Sequence, residues 1–154
     1  MTTSGWQVPD PEPGPAPGLV FGNFGARLIA YIIDIVIFSL IATVLLIVGT
    51  VFAFASAGVG GFLIVFVLIV VSSLAYFPYF WSTSGSTPGM KMMGLRVVRD
   101  RDGGPVSLGQ AVLRLFGYWL SGSVFYLGYI WIFIDKRHRG WHDLIAGTVV
   151  VQRA

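Results

Sequence analysis

The chain has 154 residues, of which 55% are hydrophobic and 11% charged, whereas soluble domains carry roughly 25% charged residues. With a mean hydropathy of +0.78, this excludes an ordinary soluble domain and points to one membrane domain. A net charge of +3, gathered beside apolar runs, suits an anionic membrane surface rather than nucleic acid, and the absence of cysteine excludes disulfides and thiolate metal sites.

Residues 1–23, "MTTSGWQVPDPEPGPAPGLVFGN", lack the basic start and early apolar core of a secretory signal. Pro, Gly and acidic residues read as a disordered, polyproline-biased cytoplasmic tail. Residues 24–154 form the transmembrane domain. The first apolar run, Arg27 to about Phe54, exceeds the roughly 20 residues a membrane helix needs. "ASAGVGG" is an uncharged turn, and Phe62 to Trp81 is a second span. That span ends in an aromatic belt, Tyr76 to Trp81, with Pro78 in its last turn.

The polar stretch "STSGSTPGMKMMGLRVVRDRDGGPVSLGQ" follows. "TPG" is a helix N-cap followed by proline at the first helical position, and the turn it starts should stop at Gly94. Leu95–Val98 and Thr148–Val151 are expected to pair as a small two-stranded ribbon outside the membrane, with "DRDGGP" a tight turn. The third apolar run, Ala111 to Ile134, is interrupted by "SGS" at 121–123. Lys91, Arg96, Arg99 and Arg101 precede it, and Lys136, Arg137 and Arg139 follow it. The positive-inside rule puts both clusters in the cytoplasm, so helices over about 111–120 and 124–134 would form a re-entrant hairpin. One tilted span with an external basic tail is the alternative. The fold class expected is thus an all-α membrane protein, a small bundle of two transmembrane helices plus this third run and the cytoplasmic ribbon. It would lie in the inner (plasma) membrane as a multi-pass protein with its N-terminus cytoplasmic.

Within the first span, "ARLIAYIIDIVIF" carries Arg27 and Asp34, seven apart on nearly one helix face and about 10 Å apart along the axis. Tyr31 lies between them, and Ala26 and Ala30 make a small-residue stripe that lets another helix approach. Arg27 can reach phosphates from the boundary; Asp34 cannot escape. A central carboxylate costs roughly 2.5–3.5 kcal/mol on insertion scales, so it must be protonated, hydrated or paired. Arg114 is its expected partner in a structural pair; otherwise it binds an ion or proton. Asp135, before "KRHR", reads as a loop charge, and Asp143, in "RGWHDLIAGT", as the cap of a short turn ending at Gly147. Arg27, Arg114, Asp135 and Asp143 should gather on the cytoplasmic side, with Asp34 deeper. His138 and His142 have a zinc-compatible spacing, but Gly140 weakens a helix there, so they read as solvated interface residues and no metal site is expected. "GSTPGMK" fails the Walker pattern, and no catalytic constellation stands out.

These residues resemble the RDD family of small bacterial membrane proteins. Arg27 and Asp34 match its first-helix arginine and aspartate. "STSGSTPGMKMMGLRVV" is similar to its Thr-Pro-Gly-Lys stretch, with Met90 standing before Lys91, "AVLRLF" to its "ALRN"-like segment, and "HDLIAGTVVV" to its closing motif. The resemblance covers about residues 22–152 and makes Asp143 the second aspartate, ahead of Asp135. It implies suspected transport, some relatives being associated with sodium/proton antiport. The candidate ligand- or ion-binding set is therefore Arg27, Asp34, Asp143, Arg114 and Asp135, without a cofactor. The other reading is a non-enzymatic membrane scaffold or regulatory module in which these residues are structural. Expected partners are the lipid bilayer and a second copy or another membrane protein.

Overall fold

The computed structural model describes residues 14–125 and 127–153. Strand β1 (Leu19–Phe21) leads into helix α1 (Phe24–Phe52), whose start is fixed by the Asn23 side chain accepting from the Ala26 N–H at 2.7 Å. At 1.5 Å per residue, its 29 residues reach about 43 Å, more than the hydrocarbon thickness. A π-helical turn (Ala53–Ala57) and Gly58, at φ 53°, reverse the chain into helix α2 (Gly58–Thr83). Both helices are long and apolar enough to cross a membrane, and their outward faces expose Leu40, Val51, Ile64 and Leu74. A soluble fold would bury such faces; lipid leaves no reason to.

Thr87 caps helix α3 (Pro88–Met92), with Pro88 at its first position, and the chain leaves at Gly94 with φ 66°. Strand β2 (Leu95–Arg99) follows. Ser107 and Gln110 then form a reciprocal capping box at the start of helix α4 (Leu108–Ser123). After a 111° bend come helix α5 (Leu127–Ile130) and a 3₁₀ turn (Trp131–Phe133). The third run is therefore broken as expected, but after "SGS" rather than at it. Ser121 and Ser123 stay helical because their hydroxyls donate to the Gly117 and Trp119 carbonyls. The reversal falls at Val124–Phe125, where Phe125 takes φ 48°. Helix α6 (Trp141–Ala146) ends on Gly147 in the left-handed conformation and feeds strand β3 (Thr148–Arg153).

The expected pairing of Leu95–Val98 with Thr148–Val151 forms, antiparallel, with Val97 opposite Val150. The ribbon has a third member, however, because β1 pairs with β3 along its other edge, giving the order β1-β3-β2. The tail read over residues 1–23 therefore ends earlier than expected. Residues 1–13 lie outside the described residues, whereas 19–21 are drawn into the sheet. A third strand removes the marginality of a lone ribbon. Side chains alternate across the sheet. Leu95, Val97 and Val150 join Ala30, Trp81, Met90 and Ala111 in one core, while Val98, Val149 and Val151 meet Leu19 and Phe21 in another. The sheet, α3 and α6 thus sit as a cap on one end of the α1–α2 pair. Asp100, before α4, accepts from Arg137 at 3.1 Å and Arg139 at 2.9 Å, both after α5, so the two ends of the third run meet.

Candidate functional site

Two buried acidic centres hold the cap to the helices. The first is built on Asp34, which is 1% exposed. Thr87 and Gly89, at the start of α3, lie against the α1 turn that carries Ala30 and Asp34. The Thr87 hydroxyl donates to Asp34 Oδ2, the Gly89 N–H to Oδ1 at 2.8 Å, and the Tyr76 hydroxyl of α2 to Oδ1 at 3.2 Å. The Thr87 hydroxyl also accepts from the Met90 N–H at 3.2 Å, as an N-cap should. A helix start leaves N–H groups without intrahelical acceptors, and Asp34 supplies one from a different helix. Gly89 is required by the close approach, since a Cβ there would stand 2.2 Å from the Ala30 carbonyl oxygen. Among the described residues, the hydrogen-bond partners of Asp34 are all uncharged.

The expected Asp34–Arg114 pair does not form. Arg114 instead turns to Asp143, because α6 packs across α4 where Gly117 meets the His142 backbone. This second centre is the denser one. Asp143 is fully buried and is bonded by Arg114, by Arg27 Nη1 at 3.2 Å and by the Gly140 N–H at 3.1 Å. The last bond is the capping role expected of it. Arg114 also donates to the Thr148 hydroxyl at 2.7 Å, and its guanidinium lies 4.9 Å from the Trp81 ring. Arg27 does more than reach for phosphates, donating to the carbonyls of Gly22 at 3.0 Å and Val150 at 3.2 Å. It thereby ties α1 to β3 and to the segment leaving β1.

Burial alone would raise the Asp143 pKa, but Arg114, His142, Arg27 and the Gly140 N–H outweigh it and bring the carboxyl down to about 2. His142, 2% exposed and stacked 3.9 Å from Tyr118, is not a solvated interface residue. Burial, assisted by the two arginines and opposed by Asp143, lowers it to about 3, so it is neutral. Its Nε2 lies 3.4 Å from Asp143.

Asp135 does not join this centre. It pairs with Arg139 at 2.9 Å in the partly exposed network that includes Asp100. The side-chain hydrogen bond from Arg139 holds Asp135 below the usual carboxylate range. Of the five expected site residues, three converge (Arg27, Arg114, Asp143), Asp34 forms its own centre, and Asp135 belongs to the loop network. Sequence reasoning missed Thr87, Gly89 and Tyr76 as Asp34's donors. "TPG" carried the signal, since a helix start always needs acceptors, but nothing local says which acid supplies them. Among the described residues, no group of three or more His, Asp or Glu side chains could hold a metal ion.

A small cavity of about 40 Å³ separates the two centres, bordered by Asp34, Thr87, Arg27, Arg114, Trp81 and Tyr118 among others. A larger groove of about 590 Å³ opens beside it between α2 and α4, and Tyr31, Phe77, Trp81 and Tyr118 line both.

The RDD family model matches residues 21–147, and the chain belongs to the RDD family. It is similar to the uncharacterized protein YxaI of Bacillus subtilis strain 168, 33% identical over 148 residues covering 85% of this chain and 97% of that protein. It is also similar to the proline-rich antigen homolog of Mycobacterium tuberculosis, 27% identical over 88 residues covering 54% of this chain and 37% of that protein. No solved structure matches.

Proposed function

We propose that this RDD-family chain is a non-enzymatic, multi-pass module of the cell membrane in which the buried acids fasten a cytoplasmic cap to the membrane helices. One observation carries the reading: each acid is engaged by donors from separate elements. Asp34 joins α1, α2 and α3; Asp143 joins α6 to α1 and α4. In hydrocarbon an unsatisfied acid is expensive, so such bonds exchange a solvation cost for a fixed arrangement. The cap then offers a rigid surface to a cytoplasmic partner, and the exposed apolar faces of α1 and α2 meet lipid, a second copy or another membrane protein.

The ion pairs of Asp100 with Arg137 and Arg139 support a third run that enters and leaves on one side, as a re-entrant hairpin. The basic residues around them support a cytoplasmic location for that side and for β1. A second reading, in which Asp34 carries a cation or proton, is favoured by one feature: Asp34 borders the small cavity.

Reconstituted vesicles separate the two. For a fastener, Asp34→Asn loosens the cap, seen as faster trypsin cleavage after Lys91, and cation and proton flux through wild type and variant both equal that of protein-free vesicles. Flux above that background, abolished by Asp34→Asn in a protein whose cleavage rate is unchanged, would establish the carrier reading instead.

A further inference from the structure

We propose that the 590 Å³ groove between α2 and α4 is a binding site for a lipid-soluble planar aromatic molecule bearing neutral carbonyl acceptors, the chemistry of a quinone. The volume falls within the roughly 300–1,000 Å³ of small-molecule sites. Seven of its ten lining side chains are aromatic. Tyr118 forms near-parallel pairs with Trp81 (interplanar angle 19°) and with Tyr31 (12°). A flat ring gains stacking from such a wall beyond its area, and a saturated acyl chain does not.

The floor decides the polar part. Trp81 Nε1 and Arg114 Nε are buried N–H donors with no acceptor among the described residues. Trp81 lines both groove and small cavity, and Arg114 lines the cavity. Buried donors left unpaired are costly, and a ligand acceptor removes that cost. Arg27 and Arg114 border the cavity, and their guanidinium donors suit an electron-rich oxygen. A neutral acceptor fits better than a full anion because the oxygen-bearing Asp34 side chain borders the same cavity. Its 40 Å³ has room for a water-sized group such as a carbonyl oxygen, while the ring stays in the groove. The flanking spans place the groove among lipids, so the ligand is one that partitions into a bilayer.

The site takes the membrane reading as its premise, and size-exclusion chromatography of the full chain in phosphatidylethanolamine/phosphatidylglycerol nanodiscs tests that premise separately. On loaded discs, equilibrium dialysis measures decylubiquinone bound in excess over empty discs, with decylbenzene as the acceptor-free match. Expected are saturable binding of about one decylubiquinone per chain and no saturable binding of decylbenzene. Trp81→Phe, which keeps a ring and removes the N–H, should weaken binding about 3- to 10-fold, the range for one lost hydrogen bond. Trp119→Ala, at an exposed wall position, should weaken it without touching the core. Excess binding that never saturates, equal binding of decylbenzene, or wild-type affinity in both variants would overturn the proposal.

Discussion

Replacing Asp143 by Asn tests the denser fastener. The substitution preserves shape and removes the charge facing Arg114, which is 1% exposed, and Arg27, whose side chain is 10% exposed. Two guanidiniums then remain near each other in a poorly hydrated place, and the new amide presents N–H groups where acceptors are needed. Breaking a buried pair by removing one partner costs roughly 3–5 kcal/mol. For a chain of this length that corresponds to a fall in thermal midpoint of about 6–20 °C, read by size-exclusion chromatography of heated, detergent-solubilised protein. Asp135→Asn, in the partly exposed loop network, is the matched control and should cost about 1 kcal/mol or less. Pairing Asp143→Asn with Arg114→Met removes one of the stranded charges and should recover part of the loss, because apolar replacements of buried ion pairs are often tolerated. A midpoint within 2 °C of wild type for Asp143→Asn would mean that the arginines are not held by this carboxylate.

Two further outcomes follow from the same geometry. Gly89→Ala puts a methyl group against the Ala30 carbonyl; it should displace α3 from Asp34, cost about 1–3 kcal/mol and speed tryptic cleavage after the exposed Lys91, whereas unchanged cleavage would contradict the close approach. Acidification should destabilise the fold in two stages: from about pH 6.5 towards 3 the unfolded chain takes up a proton on His142 that the folded chain refuses, and from about pH 4 towards 2 the unfolded chain protonates Asp143 while the folded chain still holds it as a carboxylate. Thermal midpoints across pH 7 to 4 should therefore fall, and His142→Phe, which keeps a ring against Tyr118, should flatten that slope; an unflattened slope would assign the effect elsewhere.

The two long apolar helices were legible because their runs of apolar residues are long enough to cross a bilayer, and the ends of α3 and α6 because Thr87, Pro88, Gly94 and Gly147 act within one turn. The β2–β3 pairing was legible from matching glycine-plus-valine segments. The third strand was not: Leu19–Phe21 is three residues beside a Pro/Gly-rich stretch, and only the open edge of β3 makes it a strand. Nor was the bend at Val124–Phe125, since serines read as breakers satisfy themselves on the preceding turn. Partner choice was the deepest gap. Arg114 reaches Asp143 rather than Asp34 because α6 crosses α4, a fact of tertiary packing that spacing in the chain does not carry. Asp34 could dispense with a cation because the start of α3 arrives with its own donors.

Site-directed labelling reads out whether every fastener gathers in one cap on one side of the two long apolar helices. The chain has no cysteine, so single cysteines at the exposed positions Asp102, Lys136 and Gly60 report one site each to a membrane-impermeant maleimide. In inside-out vesicles, positions 102 and 136 should both label and position 60 should not, with the pattern reversed in right-side-out cells. Labelling of 102 and 136 from opposite sides would break the Asp100–Arg137 and Asp100–Arg139 pairs and, with them, the cap.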